Sequence, residues 1–225
     1  MTSVESDSKN FFDKNLPRCK WCNLKNPKYV SYHDNEWGNF SEKSTDDKYL
    51  FEMLTLESFQ AGLSWKCVLN KREYFRSAYD GFDFEKVSGY GEKKIAELLE
   101  NPKIIRNRLK IKASISNARI FRTICLEYGN FFNFIKKFLD EYLLKNAVSE
   151  NEATKNAEDV EKKSALSGIK IIHETGNATN GLSDAISAEL KKRGMKFMGS
   201  TIVYSFLQAI GVIFSHGEEC FLFRK

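Results

Sequence analysis

The stretch Leu50–Trp65 constrains the chain most, because it reads as a helix whose apolar face carries a carboxylate. Residues three or four apart share a helix face. Leu50, Leu54, Glu57, Ala61 and Ser64 or Trp65 therefore fall on one row. Desolvating a carboxylate on such a row is costly unless it is paired or used, so Glu57 is the first candidate for chemistry. The alternative is a helix rotated slightly, with Glu57 at its wet edge, where most helical glutamates sit. Just upstream, Tyr32-His33-Asp34-Asn35-Glu36-Trp37-Gly38 concentrates aromatics around a metal-capable histidine.

A chain of 225 residues with 42% apolar content, only 3 prolines and dispersed glycines suits one mostly helical domain. Its net charge of +5 is compatible with a polyanion partner. Residues 1–17 are polar and lack the apolar core of a signal peptide, so they read as a flexible tail before a domain at 18–225. Five cysteines without such a signal fit a reduced, intracellular protein in which thiols bind metal or are simply buried. The longest apolar run, Ile202–Phe214, is interrupted by Ser205 and Gln208 and is shorter than the roughly 20 residues that a membrane span needs. Aromatics vanish from Lys145 to Ser167, and residues 145–180 read largely as a mobile insert.

Three groups of side chains carry chemistry. Cys19 and His33 near the start, with His216 and Cys220 near the end, form a Cys₂His₂ set of the kind that holds structural zinc. Ordinary buried thiols are the competing account. Trp21, Tyr29, Tyr32, Trp37 and Trp65 lie in the motifs around Glu57. Aromatic faces beside a carboxylate suit a flat, electron-poor ligand, although aromatics are most often core, and Tyr29 and Trp37 read more readily that way. Finally, Lys103, Arg106, Arg108, Lys110 and Lys112 cluster where a helix at Glu92–Asn101 turns into one at Arg106–Tyr128. A helix hairpin there could face phosphate, but its turn contains no glycine. Lys191–Phe197, with Lys192 and Lys196, is a second basic patch. Neither patch suggests reading of base edges, so binding should be sequence-nonspecific and salt-sensitive.

Tyr-His-Asp-Asn-Glu-Trp-Gly, followed by Leu-Glu-x-x-Gln-Ala-Gly-Leu-Ser-Trp, resembles the DNA-3-methyladenine glycosylase I family from about Arg18 to about Cys220, apart from residues near 141–180. The resemblance implies a mostly α-helical, helix-hairpin-helix glycosylase-like fold. It implies one structural Zn²⁺ held by Cys19, His33, His216 and Cys220, tying the two ends of the chain. It implies pocket walls from Trp21, Tyr32 and Trp65, with Glu57 accepting hydrogen bonds from the base. The partner would be alkylated double-stranded DNA, bound by a monomer through Arg106, Arg108, Lys110, Lys192 and Lys196. No lysine lies within the pocket motifs and Lys66 just follows them, so hydrolysis by water without a Schiff base is expected.

Several positions depart from the family pattern. The stretch from Trp21 to Pro27 is longer than usual, which leaves Cys22 as an alternative ligand to Cys19. Phe59 stands where a polar residue is expected, and Gly38-Asn39-Phe40 replaces Gly-Val-Pro. The last two could alter which alkylated bases fit. Two other functions remain open: a non-catalytic, zinc-stabilised nucleic-acid-binding module, and a zinc hydrolase with an open metal position.

Overall fold

The computed structural model describes residues 12–153 and 168–223. Its helices are α1 (Pro27–Asn35), α2 (Asp47–Gln60), α3 (Trp65–Ala78), α4 (Phe84–Ser88), α5 (Glu92–Glu100), α6 (Arg108–Tyr128) and α7 (Phe131–Ala153), then α8 (Gly181–Lys192) and α9 (Ser200–Ala209). Two short strands, β1 (Ile172–His173) and β2 (Ile213–Phe214), pair in parallel, Ile172 opposite Ile213.

Helix α2 is the centre of the molecule. Every residue from Leu50 to Phe59 is buried, so the helix has no wet edge for Glu57 to occupy. Asp46 caps its start, accepting from the Tyr49 N–H at 2.7 Å. The expected single helix through Trp65 is instead two. Ala61 leaves the helix at a ψ of 115° and Gly62 follows at a φ of +78°, a turn through which a right-handed helix cannot continue. Ser64 then caps α3 through its side chain. The resulting Gln60–Ser64 turn places Trp65 at the head of a new helix.

The aromatic-rich helices supply most of the core. Phe121 stacks on Phe131 with ring centroids 4.1 Å apart, joining α6 to α7. Helix α9 packs against both α2 and α8. Leu109 on α6 is exposed. Gly211, at a φ of +76°, sits where a Cβ would lie 2.2 Å from the Phe40 backbone nitrogen. That close approach lets β2 lie under the Asn39–Phe40 segment.

Parts of the segment 145–180, expected as a mobile insert, belong to the described fold. Residues 145–153 extend α7, while Ile169 and Ile172 are buried in the core and β1 pairs with β2. Apolar spacing at Ile169, Ile171 and Ile172 is what docks this segment. The remainder, 154–167, and much of the expected tail lie outside the described residues.

Candidate functional site

A helix buried on all faces must partner each of its polar groups. Glu52 on α2 does so: its carboxylate accepts from Arg72 Nε at 2.6 Å and from Arg76 Nε at 2.7 Å. Ser58 donates to the Thr55 carbonyl. Glu57 is the exception. It is 4% exposed, and among the described residues its carboxylate has no hydrogen-bond or ion-pair partner. Burial pushes its pKa up to about 8.

Glu57 faces a cavity of about 340 Å³ lined by Trp21, Tyr29, Tyr32, Trp37 and Trp65. All five expected aromatics therefore surround it, including Tyr29 and Trp37, which the sequence favoured as core. Tyr32 and Trp65 lie against one another at 5.3 Å, and Trp21 packs edge-on to Trp37 at 4.7 Å. The buried indole N–H of Trp65 has no partner among the described residues. Gln60, Gly176, Ser205, Gln208 and Ser215 complete the lining. The sequence reading missed these five. Ser205 and Gln208, three apart on an otherwise apolar helix, were the available signal. Gly176 was hidden within the supposed insert.

Glu36 and Arg72 hold the aromatic motif in place. Arg72, on α3, grips the Glu36 carboxylate with both terminal nitrogens, at 2.8 and 2.7 Å, and Tyr49 donates to the same carboxylate at 3.1 Å. Glu36 directly precedes the pocket residue Trp37.

Behind that wall, the ligating atoms of Cys19, His33, His216 and Cys220 all lie within 4.8 Å of one another. Cys22 is buried nearby but stands outside the group. The sulfur-to-nitrogen separations are 3.5 Å for Cys19–His216, 3.4 Å for Cys220–His216 and 3.5 Å for Cys220–His33. Tetrahedral zinc with ordinary bond lengths gives edges of roughly 3.5 Å. The imidazoles are also oriented for a metal. His33 Nδ1 lies 2.8 Å from Asp34, leaving Nε2 toward the sulfurs, and burial lowers its pKa toward the neutral ligand form. His216 Nε2 lies 3.0 Å from the Trp37 carbonyl, leaving Nδ1 inward. Arg18 in turn clamps Asp34 through two contacts of 2.7 Å. Such outer contacts fix tautomer and ring orientation.

The family model described as "Methyladenine glycosylase" matches residues 21–224. The chain belongs to the methyladenine glycosylase family. It is 38% identical to DNA-3-methyladenine glycosylase 1 of Escherichia coli over 91% of this chain and 96% of that protein. It is 32% identical to DNA-3-methyladenine glycosylase of Haemophilus influenzae over 90% of this chain and 96% of that one. Among solved structures, a crystal structure of 3-methyladenine DNA glycosylase I superposes with a TM-score of 0.73 at 36% identity, covering 92% of this chain and all of that one. A tyrosine-to-phenylalanine variant of the same enzyme type, in complex with 3-methyladenine, superposes with a TM-score of 0.69 at 29% identity, covering 89% of this chain and 95% of that one.

Two basic surfaces remain as places where a methyladenine glycosylase fold could meet DNA. Arg106 and Arg108 are exposed at the start of α6, and Arg108 lies 3.9 Å from Glu92. Lys110 does not belong with them. Its side chain turns inward, and Nζ donates to the carbonyls of Phe59 at 2.8 Å and Ala61 at 2.5 Å. Those carbonyls end α2, where a cation is favoured. Lys192 and Lys196 are exposed around the loop joining α8 to α9, which contains Gly194 at a φ of +96° and Gly199 as the cap of α9. This loop carries glycine, unlike the turn near Asn101.

Proposed function

We propose that this protein is a monofunctional DNA glycosylase that hydrolyses the N-glycosidic bond of 3-methyladenine in alkylated double-stranded DNA. One observation carries the reading: an unpartnered, buried carboxylate, Glu57, inside a cage of five aromatic side chains. A base reaches such a pocket only by leaving the duplex. The aromatic faces and Glu57 select a cationic purine. A neutral adenine offers no charge to offset the desolvated carboxylate.

The chemistry follows from the leaving group. A 3-methylated adenine attached to deoxyribose is cationic, and departure with the bonding electron pair leaves it neutral. Little proton donation is needed. Glu57 accepts from the exocyclic amine and holds the base, the developing oxocarbenium is stabilised electrostatically, and water supplies the hydroxyl at the sugar carbon. Lys66 is exposed outside the pocket lining, in keeping with attack by water rather than by an amine.

Zinc is the metal that best fits the Cys₂His₂ group, because two thiolates and two oriented imidazoles complete its tetrahedron. Cys19, His33, His216 and Cys220 would hold one ion. A shell filled by four protein ligands assigns it to structure, tying the start of the chain to its end. The DNA backbone would lie along Lys192, Lys196 and the α9 N-terminus, with Arg106 and Arg108 alongside, and the protein would act as a monomer.

Titration of the protein with free 3-methyladenine, followed by tryptophan fluorescence, tests the pocket. Below about pH 8 buried Glu57 carries a proton that it shares with the bound base, which gives 3-methyladenine, the stronger base, cationic character; binding at least tenfold tighter than that of adenine is expected there, with the preference lost in Glu57→Gln. Equal affinity for the two bases would remove the selectivity on which the reading depends.

A further inference from the structure

Helix α6 touches both halves of the proposed machinery with two side chains that no step of the chemistry uses. Lys110 and Asn117 are seven residues apart, two turns along one face. Lys110 is 7% exposed and ties down the Phe59 and Ala61 carbonyls, the end of the helix that carries Glu57. Asn117 is 3% exposed and holds the backbone of Lys196 twice: its Nδ2 donates to the Lys196 carbonyl and its Oδ1 accepts from the Lys196 N–H, both at 2.9 Å. The loop gripped this way is strained at the next residue. Phe197 has a φ of +56°, unusual for a bulky side chain, and its ring lies 5.8 Å from the Lys110 ammonium. One helix thus fixes the pocket turn and the basic hairpin loop, with Phe197 and Lys110 touching across the gap.

We propose that Lys110 and Asn117 are positioning residues that set the spacing between the grip on the DNA backbone and the base pocket. The inference rests on the reading that the α8–α9 loop holds the backbone. Both side chains bind main-chain atoms, so they hold position whatever the neighbouring side chains do. A base swung from the duplex reaches Glu57 only if the phosphates are held at the right distance. Misplacement by about 1 Å can cost a hundredfold in rate. Each half should still bind its own ligand when the brace is cut.

The test compares Asn117→Ala and Lys110→Met with wild type in three assays. These are affinity for free 3-methyladenine by tryptophan fluorescence, affinity for a labelled duplex with a tetrahydrofuran abasic analogue, and single-turnover release of 3-methyladenine from methylated duplex. The expected result is excision slowed tenfold to a hundredfold, with both affinities within about twofold of wild type. A role in overall stability alone would not separate these readouts. Unchanged excision in both variants would overturn the inference. So would loss of base affinity or duplex affinity in step with excision, since that places the side chain in one half only. If Lys110→Met does not fold, Asn117→Ala decides alone, because the Lys196 amide it frees can meet water on an exposed residue. A wild type that binds both ligands but releases no base would overturn the glycosylase reading itself, and this inference with it.

Discussion

Replacing Glu57 with glutamine should make the protein more stable while disabling it, and by an amount that depends on pH. Burial raises the Glu57 pKa from 4.5 to about 8. The folded state therefore keeps a proton that the unfolded chain releases first. As pH rises from 4.5 toward 8, the unfolded state gains the free energy of ionisation and the folded state does not, so stability is lost across that window. Each pH unit within it costs about 1.4 kcal/mol. At pH 7 the cost comes to about 3 kcal/mol, and above pH 8 it levels off near 5 kcal/mol. Glutamine has no proton to lose and escapes this cost. For a chain of this size, about 3 kcal/mol raises the Tm by roughly 6–12 °C. Thermal unfolding of both proteins from pH 5 to pH 8.5 checks this. The curves should nearly meet at pH 5 and diverge steadily above it. Parallel curves, or a variant less stable at pH 8, would show that Glu57 is not a desolvated carboxylate.

Other expectations follow from the same geometry. Binding of free, neutral 3-methyladenine needs one proton shared with the carboxyl, so affinity by tryptophan fluorescence should fall by up to tenfold per pH unit above about 8. Purified protein should contain one zinc per chain by elemental analysis. His33→Ala or Cys220→Ala should lose it, with a drop in Tm from the loss of several kcal/mol of metal-linked folding energy. Arg72→Met should cost about 3 kcal/mol in urea unfolding, because it removes the buried cation shared by Glu36 and Glu52 and leaves them only Tyr49 and Arg76. Gly211→Ala should cost about 3 kcal/mol or more, since its Cβ would press on the Phe40 backbone at a left-handed φ.

The mostly helical fold was legible because proline is scarce and the apolar residues repeat at helical spacing. Glu57 was legible for a related reason: a carboxylate on an apolar row needs an explanation. The break at Gly62 was not, because a glycine inside an apolar stretch also fits a continuous helix. The four Cys and His residues could be grouped by type, but only the fold shows Cys19 rather than Cys22 facing His216. Lys110 was misread as a surface cation, because a sequence shows the charge and not the two carbonyls waiting for it 49 and 51 residues earlier. The pocket residues Ser205 and Gln208 come from a helix that reads as simple core, and Ser215 follows β2. Their neighbours are apolar, and only the packing of α9 against α2 reveals which side opens onto the cavity.

The most direct test of the central claim is release of free base from methylated duplex DNA, separated by chromatography and compared between wild type and Glu57→Gln. Wild type should release 3-methyladenine and leave abasic sites in unbroken strands, and the variant should release far less despite its higher Tm. A folded, zinc-loaded wild type that binds the duplex but releases no 3-methyladenine would contradict the claim and leave a nucleic-acid-binding module in its place.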